Sequence, residues 1–159
     1  MSITATTDKA GLPKYADLEK YYPAPTIEGP FIPIGGTCEK YENQCAIRLS
    51  TALEAVGFPL GKGFNTKWGP TCVANSVSLA RGAKPLADHL WATFGPPLVL
   101  DSSSDAVIRN QKGIVYFHKQ VQGNATVVWS HIDLWNGSKT KGYNPFGSGS
   151  AKVWFWKLQ

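Results

Sequence analysis

The stretch TVVWSHIDLWNG, Thr126 to Gly137, decides the reading of the fold. Val127, Val128, Trp129, Ile132, Leu134 and Trp135 are mostly β-branched or aromatic. Such side chains suit a pleated, half-buried surface and predict a strand over 126–135. Asn136-Gly137 follows at once and is a hairpin signal, because both residues accept positive φ at low cost. Alternate side chains of a strand share a face. His131, Asp133 and Trp135 therefore point one way, and Ser130, Ile132 and Leu134 the other. Two further stretches of the C-terminal third read as strands: Gly113 to His118, and Val153 to Leu158 with Trp154, Phe155 and Trp156.

Upstream the periodicity changes. Ala46, Leu49, Leu53 and Val56 recur at helical spacing and predict a helix over Gln44–Val56. Asn43 is its expected N-cap, and Gly57 followed by Pro59 its stop. Pro85 to Phe94 reads as a second helix, with Leu86, Leu90, Trp91 and Phe94 on one side and Gly95-Pro96 ending it. Asp105–Ile108 adds a further turn. Gly61 to Thr71, holding Gly61, Gly63, Gly69 and Pro70, is expected to be a loop. Residues 1–36 are broken by Pro13, Pro23, Pro25, Pro30 and Pro33, with room for one helical turn over Asp17–Tyr22. Tyr15, Tyr21, Tyr22 and Phe31 give that segment apolar weight, so it reads as an arm wrapped on the body. Helices precede an antiparallel sheet, which defines an α+β class in a single domain over 1–159: an arm at 1–36 and a core over 41–159.

Composition narrows the function. The 159 residues are 43% hydrophobic and 17% charged, which excludes disorder driven by charge. With 16 Gly and 11 Pro, the chain is rich in turns rather than a helical bundle. No apolar run reaches the ~18 residues a membrane-spanning helix needs, so no membrane insertion is expected. Met1–Ala10 is polar and lacks the apolar core of a secretory signal, so export would use a machine that does not read one. The net charge of +5 favours an anionic partner such as nucleic acid, anionic lipid or a cell-wall polymer. Scattered lysines and only three arginines (Arg48, Arg81, Arg109) argue against nucleic acid.

Cys45 carries the chemistry. It opens the first helix, where unpaired backbone N–H groups and the positive end of the dipole favour a thiolate, the nucleophilic form. The same N–H groups can hold an oxyanion. His131, mid-strand, supplies a base, and Asp133 on the same face supplies the group that orients it. Such neighbours lie ~6.6 Å apart at Cα, so contact depends on their rotamers. Arg48, one turn beyond Cys45, reads first as a solvated or ion-paired helix residue and second as a contact for a substrate carboxylate. Trp135 and Tyr41 are further candidate substrate-binding residues. His89 and His118 read as structural. Cys38 and Cys72 either form a disulfide, which requires an oxidising compartment, or remain two buried thiols. No zinc-ligand spacing and no phosphate-loop spacing occurs, so neither a metal nor a cofactor is expected.

The run Asn43-Gln44-Cys45-Ala46-Ile47-Arg48-Leu49-Ser50, followed by Ala52-Leu53 and Gly57-Phe58-Pro59, resembles the nucleophile motif of the type VI secretion amidase effectors, family 4. Ser130-His131-Ile132-Asp133-Leu134-Trp135-Asn136-Gly137 is similar to that family's histidine motif, and Lys112-Gly113-Ile114 matches the strand before it. The resemblance runs from Tyr41 to the C-terminus. It implies a papain-like fold of the NlpC type, with a catalytic Cys at a helix end packed on the sheet that bears the His. It implies a peptidoglycan amidase cutting between D-glutamate and meso-diaminopimelate of the stem peptide. It also implies a toxin delivered by a type VI machine component into the periplasm of a target cell, and a cognate immunity protein that inhibits it. The sequence departs from the family at the third catalytic member. In some relatives an Asp follows the His by about a dozen positions, whereas Lys139 to Asn144 holds no carboxylate. Asp133 is the expected replacement and Asn144 the alternative, since an Asn can also accept the imidazole N–H.

Two other classes fit the same residues. One is a non-catalytic cell-wall or carbohydrate-binding module that uses the six tryptophans and the basic charge. The other is a cysteine protease or transacylase built on the same Cys–His dyad, because fold and dyad do not fix the substrate.

Overall fold

A computed structural model describes residues 11–23, 36–41, 44–121, 128–142, 144–147 and 152–159. The expected cap Asn43 and much of the proline-rich arm lie outside these residues. Helix α1 spans Tyr15–Tyr21 and a 3-10 turn spans Gly36–Lys40. Helix α2 is Cys45–Ala55 and the short α3 is Phe64–Lys67. Strands β1, Thr71–Ala74, and β2, Val77–Ala80, form a hairpin, and α4 follows at Ala83–Phe94. The remaining strands are β3 at Leu98–Asp101, β4 at Gly113–Val121, β5 at Val128–Trp135 and β6 at Lys152–Lys157. A 3-10 turn at Ala106–Ile108 precedes β4. The four pair antiparallel in the order β3-β6-β4-β5, which leaves β5 at an edge. No helix among the described residues is long and apolar enough to cross a membrane.

The expected α+β order holds, and the differences have local causes. The hairpin β1–β2 was not expected. Its strands have four residues each, too few for a pattern, and its turn uses Asn75 and Ser76, both at positive φ (51° and 63°), in place of a glycine. The stretch 61–71 is not all loop, because Phe64 is buried and anchors the turn α3. Helix α2 stops as read. Gly57 sits at φ 91°, Gly57 N–H bonds Glu54 O at 3.2 Å and Phe58 N–H bonds Leu53 O at 2.8 Å, which together make a Schellman stop.

The sheet separates two cores. On one face Ile114, Tyr116, Ile132, Leu134 and Trp156 meet α1, α2 and α4 through Leu18, Leu49, Leu53, Leu86 and Leu90. On the other, Val115, Phe117, Trp135, Val153 and Phe155 close over Ile108. The alternation along β5 is the reason: Ile132 and Leu134 face the helices and Trp135 faces away. Gly113 begins β4 where Trp156 O passes so close that a Cβ would stand 2.0 Å from it, so no larger residue fits. A third, small core holds Ile47, Ala74 and Leu79 around the Cys38–Cys72 disulfide, whose Cα atoms are 5.1 Å apart.

Candidate active site

Cys45 is the first residue of α2 and is 7% exposed. Gln44 takes the cap position, and no side-chain capping hydrogen bond is made there. As the first residue of the helix, Cys45 stands where first-turn N–H groups and the positive end of the helix dipole favour a thiolate. His131 arrives from β5. Its ring lies over Phe117, the cross-strand partner, with centroids 6.1 Å apart. It therefore has the parity of the far face, whereas Cys45 belongs to the helix-side core. The two meet because β5 is the edge strand, and among the described residues no further strand stands between its margin and α2.

The imidazole is held at both nitrogens. Nε2 pairs with Asp133 Oδ2 at 3.0 Å, and the remaining nitrogen, Nδ1, is the one left for the hydrogen bond to Cys45. Burial alone would lower the His131 pKa. The hydrogen bonds and charges of Asp133 and Cys45 outweigh it and raise the value to about 9. The imidazolium is the favoured state of His131 at neutral pH.

Asp133 is 1% exposed and accepts from four donors. Tyr22 OH and Leu134 N–H reach Oδ1, each at 2.8 Å, and Gly142 N–H reaches Oδ2 at 2.7 Å beside His131. These donors fix the carboxylate in one orientation beside the imidazole. The same bonds explain why Asn136-Gly137 gives a turn and not a full hairpin. The turn closes through Asn136 N–H to Lys139 O at 3.1 Å and a single bridge, Trp135 to Thr140. The N–H of Gly142 then goes to the Asp133 side chain instead of extending the ladder.

Other expected site residues lie elsewhere. Asn144 does not serve His131: its Oδ1 accepts Phe146 N–H at 3.2 Å, and it lines a shallow pocket with Ser103, Ser104 and Asp105. Trp135 is corrected from substrate contact to core. It is fully buried and its Nε1 donates to Ile108 O at 3.0 Å. Tyr41 is half-buried against the disulfide core, with the Arg81 guanidinium 3.9 Å over its ring. Arg48 is buried rather than solvated, and its charge is felt by Tyr22. His89 packs edge-on to Phe64 and Trp68, and burial lowers its pKa. His118 Nδ1 bonds Tyr116 OH at 2.8 Å. Sequence reasoning missed Tyr22, whose distance of 111 residues from Asp133 leaves no local pattern.

A helix-end thiol, a strand imidazole and a buried carboxylate in one hydrogen-bonded line are the equipment of an enzyme that attacks acyl groups. A family model described as type VI secretion system (T6SS), amidase effector protein 4, Tae4, matches residues 41–156. The chain belongs to this family and is a type VI secretion amidase effector. The structure of Tae4 from Enterobacter cloacae is similar with a TM-score of 0.78 and 20% identity, over 93% of this chain and 98% of that one. Tae4 in the Tae4–Tai4 effector–immunity complex from Salmonella Typhimurium is similar with a TM-score of 0.67 and 23% identity, over 99% of this chain and 98% of that one. These likenesses show the fold. No curated protein matches the chain.

Proposed function

We propose that this effector is a cysteine-dependent peptidoglycan amidase of papain-like, NlpC-type architecture, and that it cuts the stem peptide between D-glutamate and meso-diaminopimelate. The observation that carries the reading is the His131 ring, hydrogen-bonded to Cys45 on one side and to Asp133 on the other. The Cys45 thiolate attacks the amide carbonyl carbon. The first-turn N–H groups of α2 receive the oxyanion. His131 gives its proton to the leaving amine as the C–N bond breaks and the thioester forms. His131 then takes a proton from water, which attacks the thioester, and the carboxylate product leaves with Cys45 restored. Asp133 holds the imidazole in the required tautomer throughout.

Several features support the wider reading. A net charge of +5 suits an anionic wall polymer. The Cys38–Cys72 disulfide suits an oxidising workplace such as a target cell's periplasm, reached by way of a type VI delivery component. The Tae4 proteins of Salmonella Typhimurium and Enterobacter cloacae are solved with Tai4 immunity proteins, so a cognate inhibitor is proposed here too. Although Trp91 is exposed, four of the six tryptophans speak against a mere binding module. Trp135 and Trp156 are buried, and Trp68 and Trp154 pack against the core. The test is mass analysis of muropeptides incubated with the wild type, Cys45→Ala and His131→Ala. Cleavage by the wild type alone is expected. Wild-type cleavage by either variant refutes the mechanism.

A further inference from the structure

Two connections from the N-terminal arm converge on Asp133. The Tyr22 hydroxyl donates to Oδ1 at 2.8 Å. Glu19, one turn earlier on α1, pairs with Lys141 Nζ at 2.7 Å, and the next residue, Gly142, donates its N–H to Oδ2 at 2.7 Å. The arm is itself fixed, with Tyr15 N–H on Gln159 O at 2.7 Å and Tyr15 OH on Glu19 Oε2 at 3.1 Å. All these arm residues lie outside the stretch 41–156 that the family match covers. We propose that Tyr22 is a positioning residue: through Asp133 it sets the orientation and charge of the His131 imidazole that serves Cys45. This rests on the amidase reading above.

The chemistry favours one direction. A buried phenol beside a carboxylate keeps its proton and can only donate, so its hydrogen bond goes to Asp133 Oδ1. It fixes Oδ1 while Gly142 and His131 share Oδ2. Position 142 closes the other side, since a Cβ there would stand 3.3 Å from Asp133 Oδ2 and 3.9 Å from His131 Cε1. Among the described residues, the charged and titratable groups around the pair are Cys45 and Arg48 from α2, Tyr15 and Tyr22 from the arm, and the Glu19–Lys141 pair with Lys112 outside them.

The experiment compares the wild type with Tyr22→Phe on muropeptides across pH, and measures the rate of Cys45 alkylation by iodoacetamide over the same range. Loss of one hydrogen bond to a charged group predicts kcat lower by about 10- to 100-fold with KM unchanged. Both profiles should move to higher pH. With one donor gone, the carboxylate turns more of its charge on the imidazolium and holds it longer on the alkaline side. A wild-type kcat, or a loss of kcat with unmoved profiles and a lower melting temperature, overturns the proposal. If the wild type leaves muropeptides intact, the amidase reading fails, and the alkylation profile alone decides the role of Tyr22. Should Tyr22→Phe not fold, Gly142→Ala presses on the same carboxylate from the other side. It should lower kcat at constant KM, and an unchanged kcat would refute the idea.

Discussion

Replacing Asp133 by Asn removes the charge and keeps the shape. Leu134 N–H and Tyr22 OH both donate to Oδ1, so the amide oxygen settles there. The new NH2 then stands at the Oδ2 place, facing two former donors, Gly142 N–H and His131 Nε2. His131 can meet it only with an unprotonated Nε2, which puts the proton on Nδ1 toward Cys45, the wrong tautomer for a base. The rise of the His131 pKa from 6.5 to about 9 is worth ~3 kcal/mol at 1.36 kcal/mol per pKa unit, and the Asp133 hydrogen bond is its largest favourable source. In the wild type, kcat/KM should fall as pH rises through about 9, where the imidazolium is lost. In Asp133→Asn that limb should drop by at least about one unit, with kcat lower by roughly 10³- to 10⁴-fold, the scale seen when a wrong tautomer is imposed on such a triad. Stability gives a second sign. A raised histidine pKa stabilises the fold fully below 6.5 and loses that contribution as pH climbs through about 9, so the melting temperature should decline across this window in the wild type and decline less in the variant. Muropeptide hydrolysis and thermal melts from pH 5 to 10 measure both. A limb still near 9 with kcat within about tenfold of wild type would refute the role given to Asp133.

Removing the disulfide with Cys38→Ala and Cys72→Ala together should cost roughly 3–4 kcal/mol, from the loop-closure entropy of a 34-residue separation, read as a lower denaturation midpoint at nearly constant slope. Trp135→Phe should lose about 1–3 kcal/mol, from the vacated volume and the unpaired Ile108 carbonyl, while KM stays unchanged; a raised KM would return Trp135 to the substrate site.

Long periodic elements were legible. The helix opened by Cys45, the helix ending at Phe94 and three of the four strands of the main sheet announce themselves by repeated apolar positions. Strand β3 is Leu98–Asp101, four residues behind two prolines, and carries no alternation to read. Cys45, His131 and Asp133 could be named because helix-start chemistry and strand parity are local. Their meeting could not be read, because it depends on β5 lying at the sheet edge. Tyr22 and Gly142 were invisible for a related reason: one acts across the chain, and the other acts through a backbone N–H that every residue but proline carries.

The covalent bond between Cys38 and Cys72 sets a problem for the chain before it has a shape. Three thiols allow three single pairings, and only one leaves Cys45 free. Cys38 and Cys45 are seven positions apart against 34 for the native partners, so random encounter in an unfolded chain favours the wrong union by ~10-fold. Correct oxidation must therefore come after collapse, or be repaired by thiol exchange. A molecule oxidised too early would be inactivated by its own nucleophile.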